Sequence, residues 1–136
     1  MVFEFQEMIV VVEVTLTDSS RQEAAEGEPV RRHVADYAKA NSKPVYGLFI
    51  ALNIDSNTAH TFRLGDWYLK DDSKINLHIV PVTLNDFQTF LKAGETDLTK
   101  LPNALLSLLK DCRMSATMDA PLWKKEITKI FSETTL

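Results

Sequence analysis

The sequence predicts an α/β domain: a small parallel or mixed sheet flanked by helices and followed by a helical C-terminal tail. Apolar runs rich in β-branched residues lie at 8–16, 45–52 and 76–83, as expected of strands. Helix-forming segments separate them, which is the alternation of crossover units. The last third carries amphipathic helical patterns instead.

The first run, residues 8–16, is nearly continuous in apolarity, as in a strand buried on both faces, and Glu13 alone interrupts it. Residues 21–40 are mostly helix formers. Gly27 and Pro29 fall inside them, predicting a break or kink with Pro29 near the first position of a second helical piece. The second strand spans 45–52, and Asp55 caps a helix expected to run to about residue 69. In the third strand, 76–83, Pro81 lacks an amide donor and belongs near a sheet edge. Thr83 or Asn85 can cap a helix over 87–92 that stops at Gly94. Helices follow at about 101–110 and 121–132, with Leu101, Leu105, Leu108 and Leu109 on one face of the first. A three-stranded sheet beginning at residue 8 is narrow, so strands are expected upstream of it.

A chain of 136 residues reads as one domain over 1–136, large enough for a hydrophobic core. Hydrophobic residues make up 45% and charged residues 25%, with 4 glycines and 5 prolines, which excludes disordered and fibrous classes. Cys112 is the single cysteine, and no Cys/His cluster suggests zinc; a reducing, cytoplasmic setting is expected. The longest apolar run, 8–12, is far short of a membrane span, so no membrane role is expected. A formal net charge of −4 argues against binding nucleic acid by bulk electrostatics, so any DNA contact is local or supplied by a partner.

Glu13 is costly in an apolar strand unless paired or bound to a cation, and the two readings stand side by side. Gln22, Glu26 and His33 lie four and seven residues apart and can share a helical face. Glu13 and Glu26, with Gln22 and His33 as polar partners, could then converge at the end of the first strand. Oxygen donors of this kind suit Mg²⁺, with Mn²⁺ as an alternative. His33 is equally a structural hydrogen-bond partner, as are His60 and His78. Arg31 and Arg32 could meet DNA phosphate or pair with Glu28 and Asp36. Phe49, Phe62, Trp67 and Tyr68 read as core aromatics. Lys124, Lys125 and Lys129 form a basic stripe, solvated or docked against another subunit.

The run Val12–Glu13–Val14–Thr15–Leu16, the segment Ser20–Arg21–Gln22 and the string 26–33 (EGEPVRRH) resemble the catalytic region of AlwI-type type IIS restriction endonucleases and their nicking relatives. The segments 43–47, 57–63 and 79–83 also resemble that family, so the likeness covers roughly residues 8–92. It implies a restriction-endonuclease-like core of the PD-(D/E)xK nuclease class, Mg²⁺-dependent DNA cleavage, and Glu13 and Glu26 as acidic metal-site residues. Thr15 then stands where the wider class has Lys, leaving Arg21 or Arg32 as substitutes. That class also has an Asp about a dozen residues before the Glu. Met1 lies twelve residues before Glu13 and neither Glu4 nor Glu7 sits in a Pro-Asp context, so a truncated catalytic part with little activity alone is expected. The alternative is a non-catalytic module that keeps the nuclease fold for homodimerisation or for binding a second subunit.

Overall fold

The computed structural model describes residues 1–17 and 21–136. Its main sheet has four strands in the order β1-β2-β3-β6, formed by Val2–Glu4, Ile9–Thr15, Val45–Ala51 and His78–Thr83. β1 runs antiparallel to β2, whereas β2, β3 and β6 are parallel. The three expected strands are therefore present, with β1 added at one edge. β6 is the other edge strand, and Pro81 sits there, where a missing amide donor is tolerated.

Strand periodicity sorts the sheet into two faces. Val11, Gly47 and Ile79 form one row, Glu13, Phe49 and Pro81 the next, and Thr15, Ala51 and Thr83 the last. Helix α1, Glu28–Ala40, packs on this face. Gly47 makes the approach possible, because a Cβ there would lie 2.9 Å from Val34 Cγ2 and 3.0 Å from Ile79 Cγ1. Helix α2, Ser56–Leu64, covers β6 and brings Phe62 edge-on to Phe49 at 5.2 Å between ring centres.

The predicted break before Pro29 is a π-helical segment, Glu23–Gly27, running directly into α1 with Pro29 in its first turn. Proline lacks the amide that an α-helix needs, and a wider turn absorbs the mismatch without ending the helix. Asp55 caps α2 as expected, accepting from the amides of Asn57 and Thr58. The helix stops at Leu64 rather than near residue 69. Gly65 takes φ 71° and its carbonyl accepts from Leu77 N at 2.6 Å, a left-handed stop that glycine permits.

A short hairpin follows, β4 (Asp66–Tyr68) against β5 (Lys74–Asn76). It takes the start of the expected third strand, so only His78–Thr83 joins the main sheet. Tyr68, expected in the core, is 65% exposed on this hairpin. Helix α3, Leu84–Ala93, is capped by Thr83, whose hydroxyl accepts from Asp86 N.

The tail folds as α4, Leu101–Met114, and α5, Ala120–Ser132. Leu105, Leu108 and Leu109 of α4 are buried as their spacing implies. Trp123, Ile127 and Phe131 of α5 join the same core, and Phe131 meets Phe90 of α3 edge-on. The tail also closes the β6 edge, where Arg113 donates to the carbonyls of Ile79 at 2.9 Å and Phe62 at 2.8 Å. Burial drops its pKa to about 10, and its guanidinium stacks 5.5 Å over the Trp123 ring. No helix among the described residues is long and apolar enough to cross a membrane.

Candidate functional site

The alternation of β2 puts Glu13 and Thr15 on the face that receives α1. There they meet the helical segment that follows. Thr15 Oγ1 donates to Glu26 Oε1 at 3.2 Å, and Nδ1 of His33 contacts Glu13 Oε1. Glu26 lies in the π-helical turn and His33 two turns further on, in α1.

Glu13, Glu26, Arg32, His33 and Asp36 thereby line one cleft of about 340 Å³, floored by Pro29 and Val30. The two glutamates singled out by the sequence share this cleft. Asp36 is an addition that sequence reasoning treated only as a partner for arginine; its spacing of three from His33 was the available signal. Its carboxylate also pairs with Lys39 at 3.3 Å.

The other candidates are divided by the fold. Gln22 is fully buried and does not line the cleft. Its amide nitrogen donates to Thr17 O at 2.6 Å and Asn53 O at 2.8 Å, while its oxygen accepts from Asp55 N at 2.9 Å. Those bonds tie the loop after β2 to the loop after β3, a positioning role one step behind the cleft. The Ser20 of the Ser20–Arg21–Gln22 segment lies outside the described residues. Arg32 reaches the cleft and pairs with Glu28 at 3.3 Å. Arg31 points away, held 3.5 Å from Glu23 and 5.9 Å from the Trp67 ring centre.

Glu23 is a perturbed carboxylate that sequence reasoning missed. Burial raises its pKa, against the lowering effect of Thr61 and Arg31. It nonetheless faces α2 and Arg31 rather than the cleft. His78 stacks on Tyr46 at 5.1 Å and has its pKa lowered by burial, a structural role as expected.

The donors facing the cleft are carboxylate oxygens and one imidazole. Among the described residues, no three His, Cys, Asp or Glu side chains are grouped so as to hold a metal ion together. A divalent cation in this cleft would have few protein ligands and would depend on water for most of its coordination.

A solved structure with similar architecture is the crystal structure of the small subunit (R.BspD6I2) of the heterodimeric restriction endonuclease R.BspD6I, with a TM-score of 0.68 at 23% identity. The match takes in 95% of this chain and spans 64% of that subunit's length. At that identity it supports the fold. No match is found among curated proteins. A family model described as AlwI restriction endonuclease matches residues 1–90, a span that includes β2, the π-helical turn and the whole acidic cleft. On that match, over more than half of its length, the chain belongs to the AlwI restriction endonuclease family.

Proposed function

We propose that this chain is a DNA endonuclease component that hydrolyses phosphodiester bonds with Mg²⁺, or Mn²⁺ in its place, held by Glu13 and Glu26. The observation that carries the reading is that these two carboxylates, from a strand and from the next helical segment, line the same cleft. A bound cation of this kind polarises the phosphodiester and lowers the pKa of an attacking water.

The protein's part is orientation. His33 and Thr15 each hold one oxygen of a glutamate, leaving the second oxygen of each directed by a fixed carboxylate plane. Thr15 carries no charge, so it does not replace the lysine of the wider nuclease class. Arg32, half exposed at the cleft wall, is the cation placed to offset charge on a phosphoryl group. Arg31 does not line the cleft and is turned toward Glu23.

Two glutamates are a lean donor set, so the chain alone is expected to bind Mg²⁺ weakly and cut slowly. A partner subunit fits this reading, since the similar solved structure is one subunit of a heterodimeric restriction enzyme. A second reading, a non-catalytic partner-binding module, is favoured by the Glu13–His33 contact, which satisfies Glu13 without a cation.

A plasmid-nicking assay in Mg²⁺ and Mn²⁺, with Mn²⁺ binding followed by electron paramagnetic resonance, separates the two. Loss of cleavage and of Mn²⁺ binding in both Glu13→Gln and Glu26→Gln supports the nuclease. Wild type and variants behaving identically would leave the binding-module reading.

A further inference from the structure

The acidic cleft is not the largest concavity. A cavity of about 760 Å³ opens at the carboxyl ends of β3 and β6, bounded by Asn53, Thr83, Asp86 and the side of α5 that carries Lys124, Lys125 and Lys129. The lysine stripe legible in the sequence thus faces a concavity. Crevices at the carboxyl ends of parallel strands are the usual ligand positions in open α/β sheets.

The charges around it are unbalanced. Near the acidic cleft, cations are matched: Arg31 with Glu23, Arg32 with Glu28, and Lys39 with Asp36. Lys124, Lys125 and Lys129 have no carboxylate within ion-pairing distance among the described residues. Lys124 donates to the Ile54 carbonyl at 2.9 Å, which fixes its ammonium at the cavity wall. Lys125 and Lys129 are exposed. The one carboxylate in the lining, Asp86, is buried and accepts from Thr128 Oγ1 at 2.8 Å. In a chain of net charge −4, three lysines along one wall of a cavity otherwise lined in part by Ile54, Val82 and Ile127 make a local site for a polyanion.

The position of the cavity says which polyanion. Thr15, Ala51 and Thr83 are register partners in one row across β2, β3 and β6. Thr15 bonds the acidic cleft's Glu26, and Thr83 lines the lysine cavity. Two strand spacings separate the ends of that row, roughly 10 Å, or about three base steps along one DNA strand.

We propose that the lysine cavity holds the phosphodiester backbone of the DNA strand that enters the acidic cleft, with Lys125 and Lys129 each contacting a phosphate and Lys124 supporting them. This rests on the reading of the chain as one that acts on DNA. Helix α5 lies beyond residues 1–90, the span matched by the family model.

The test is binding of a short fluorescein-labelled DNA duplex to the full chain in EDTA, followed by anisotropy across a salt series. Losing two phosphate contacts should flatten the slope of log K against log salt concentration by about 2 in the double variant Lys125→Gln/Lys129→Gln. The variant Lys125→Arg/Lys129→Arg should keep the wild-type slope. Both positions are solvent-exposed, and unchanged thermal melts by circular dichroism will show that the variants fold. An unaltered slope in the glutamine variant overturns the proposal, as does a wild-type chain that binds no duplex. The two proposals fail separately: Glu13→Gln that cleaves like wild type defeats the nuclease reading with the lysine slope intact. Glutamate-dependent cleavage with a lysine-independent slope defeats this one.

Discussion

Thr15 and Glu26 are joined by a 3.2 Å hydrogen bond from Oγ1 to Oε1, connecting the last residue of β2 to the π-helical turn before α1. The bond holds a helical carboxylate against the end of the strand that also carries Glu13.

Replacing that hydroxyl by a methyl tests its role. Thr15→Val should weaken Mn²⁺ binding about tenfold, in the range seen when a partner of a metal-binding carboxylate is lost. Stability should fall by only about 1 kcal/mol, and Thr15→Ser should restore the affinity. An affinity unchanged in Thr15→Val, read by paramagnetic resonance, would show that Glu26 needs no such support.

Gln22 predicts a larger cost in stability than in chemistry. Gln22→Ala strips partners from the Thr17 and Asn53 carbonyls and the Asp55 amide, and orphaned buried polar groups cost about 1–3 kcal/mol each. Partial hydration relieves some of this, so urea unfolding should show a loss of about 3 kcal/mol. Gln22→Glu should be no better, because it sets a carboxylate against two carbonyl oxygens. A loss under about 1 kcal/mol in either variant would mean that the two loops are held by other contacts.

Arg113 should behave as the clamp between tail and sheet. Arg113→Ala leaves the Ile79 and Phe62 carbonyls without their side-chain donor and removes the stack on Trp123; a loss of about 3 kcal/mol is expected. Arg113→Lys should recover less than half, since an ammonium lacks the planar fork that spans several acceptors. Full recovery by lysine in chemical denaturation would show that charge, rather than geometry, matters there.

Cys112 should be silent to thiol reagents in the folded chain. It is fully buried, and burial pushes its pKa up to about 12 from an ordinary 9.0, so the reactive thiolate is scarce. Because the folded value is the higher one, its contribution to stability is whole below pH 9.0 and fades as pH rises through 12. Labelling by Ellman's reagent at pH 8 should therefore proceed at the rate of opening, and the wild type should lose stability faster than Cys112→Ala above pH 9.0. Rapid labelling of the native chain would contradict this burial.

The strand runs, the Asp55 and Thr83 caps, the Gly94 stop and the leucine face of α4 can all be read before folding, because each is a short-range pattern with a local cause. Helix α2 and the third strand both end up shorter than their local patterns predict, for one reason. Gly65 and the Asp66–Asn76 hairpin are stabilised by bonding to Leu77 across the turn, which local propensity does not contain. Tyr68 is exposed for the same reason: it belongs to that hairpin and not to a helix facing the core.

By itself the sequence determined an α/β chain with acidic residues at the end of its first long strand and in the helix after it, since strand alternation and helical spacing are fixed by backbone geometry. The tertiary structure decided which of those side chains meet. The π-helical turn and the packing of α1 over Gly47 bring Glu13, Glu26 and His33 to one cleft and send Gln22 into the loop scaffold. Docking of α5 turned a solvated lysine stripe into the wall of a cavity. Such convergence depends on contacts between residues far apart in the chain, and no periodicity along a single segment encodes them.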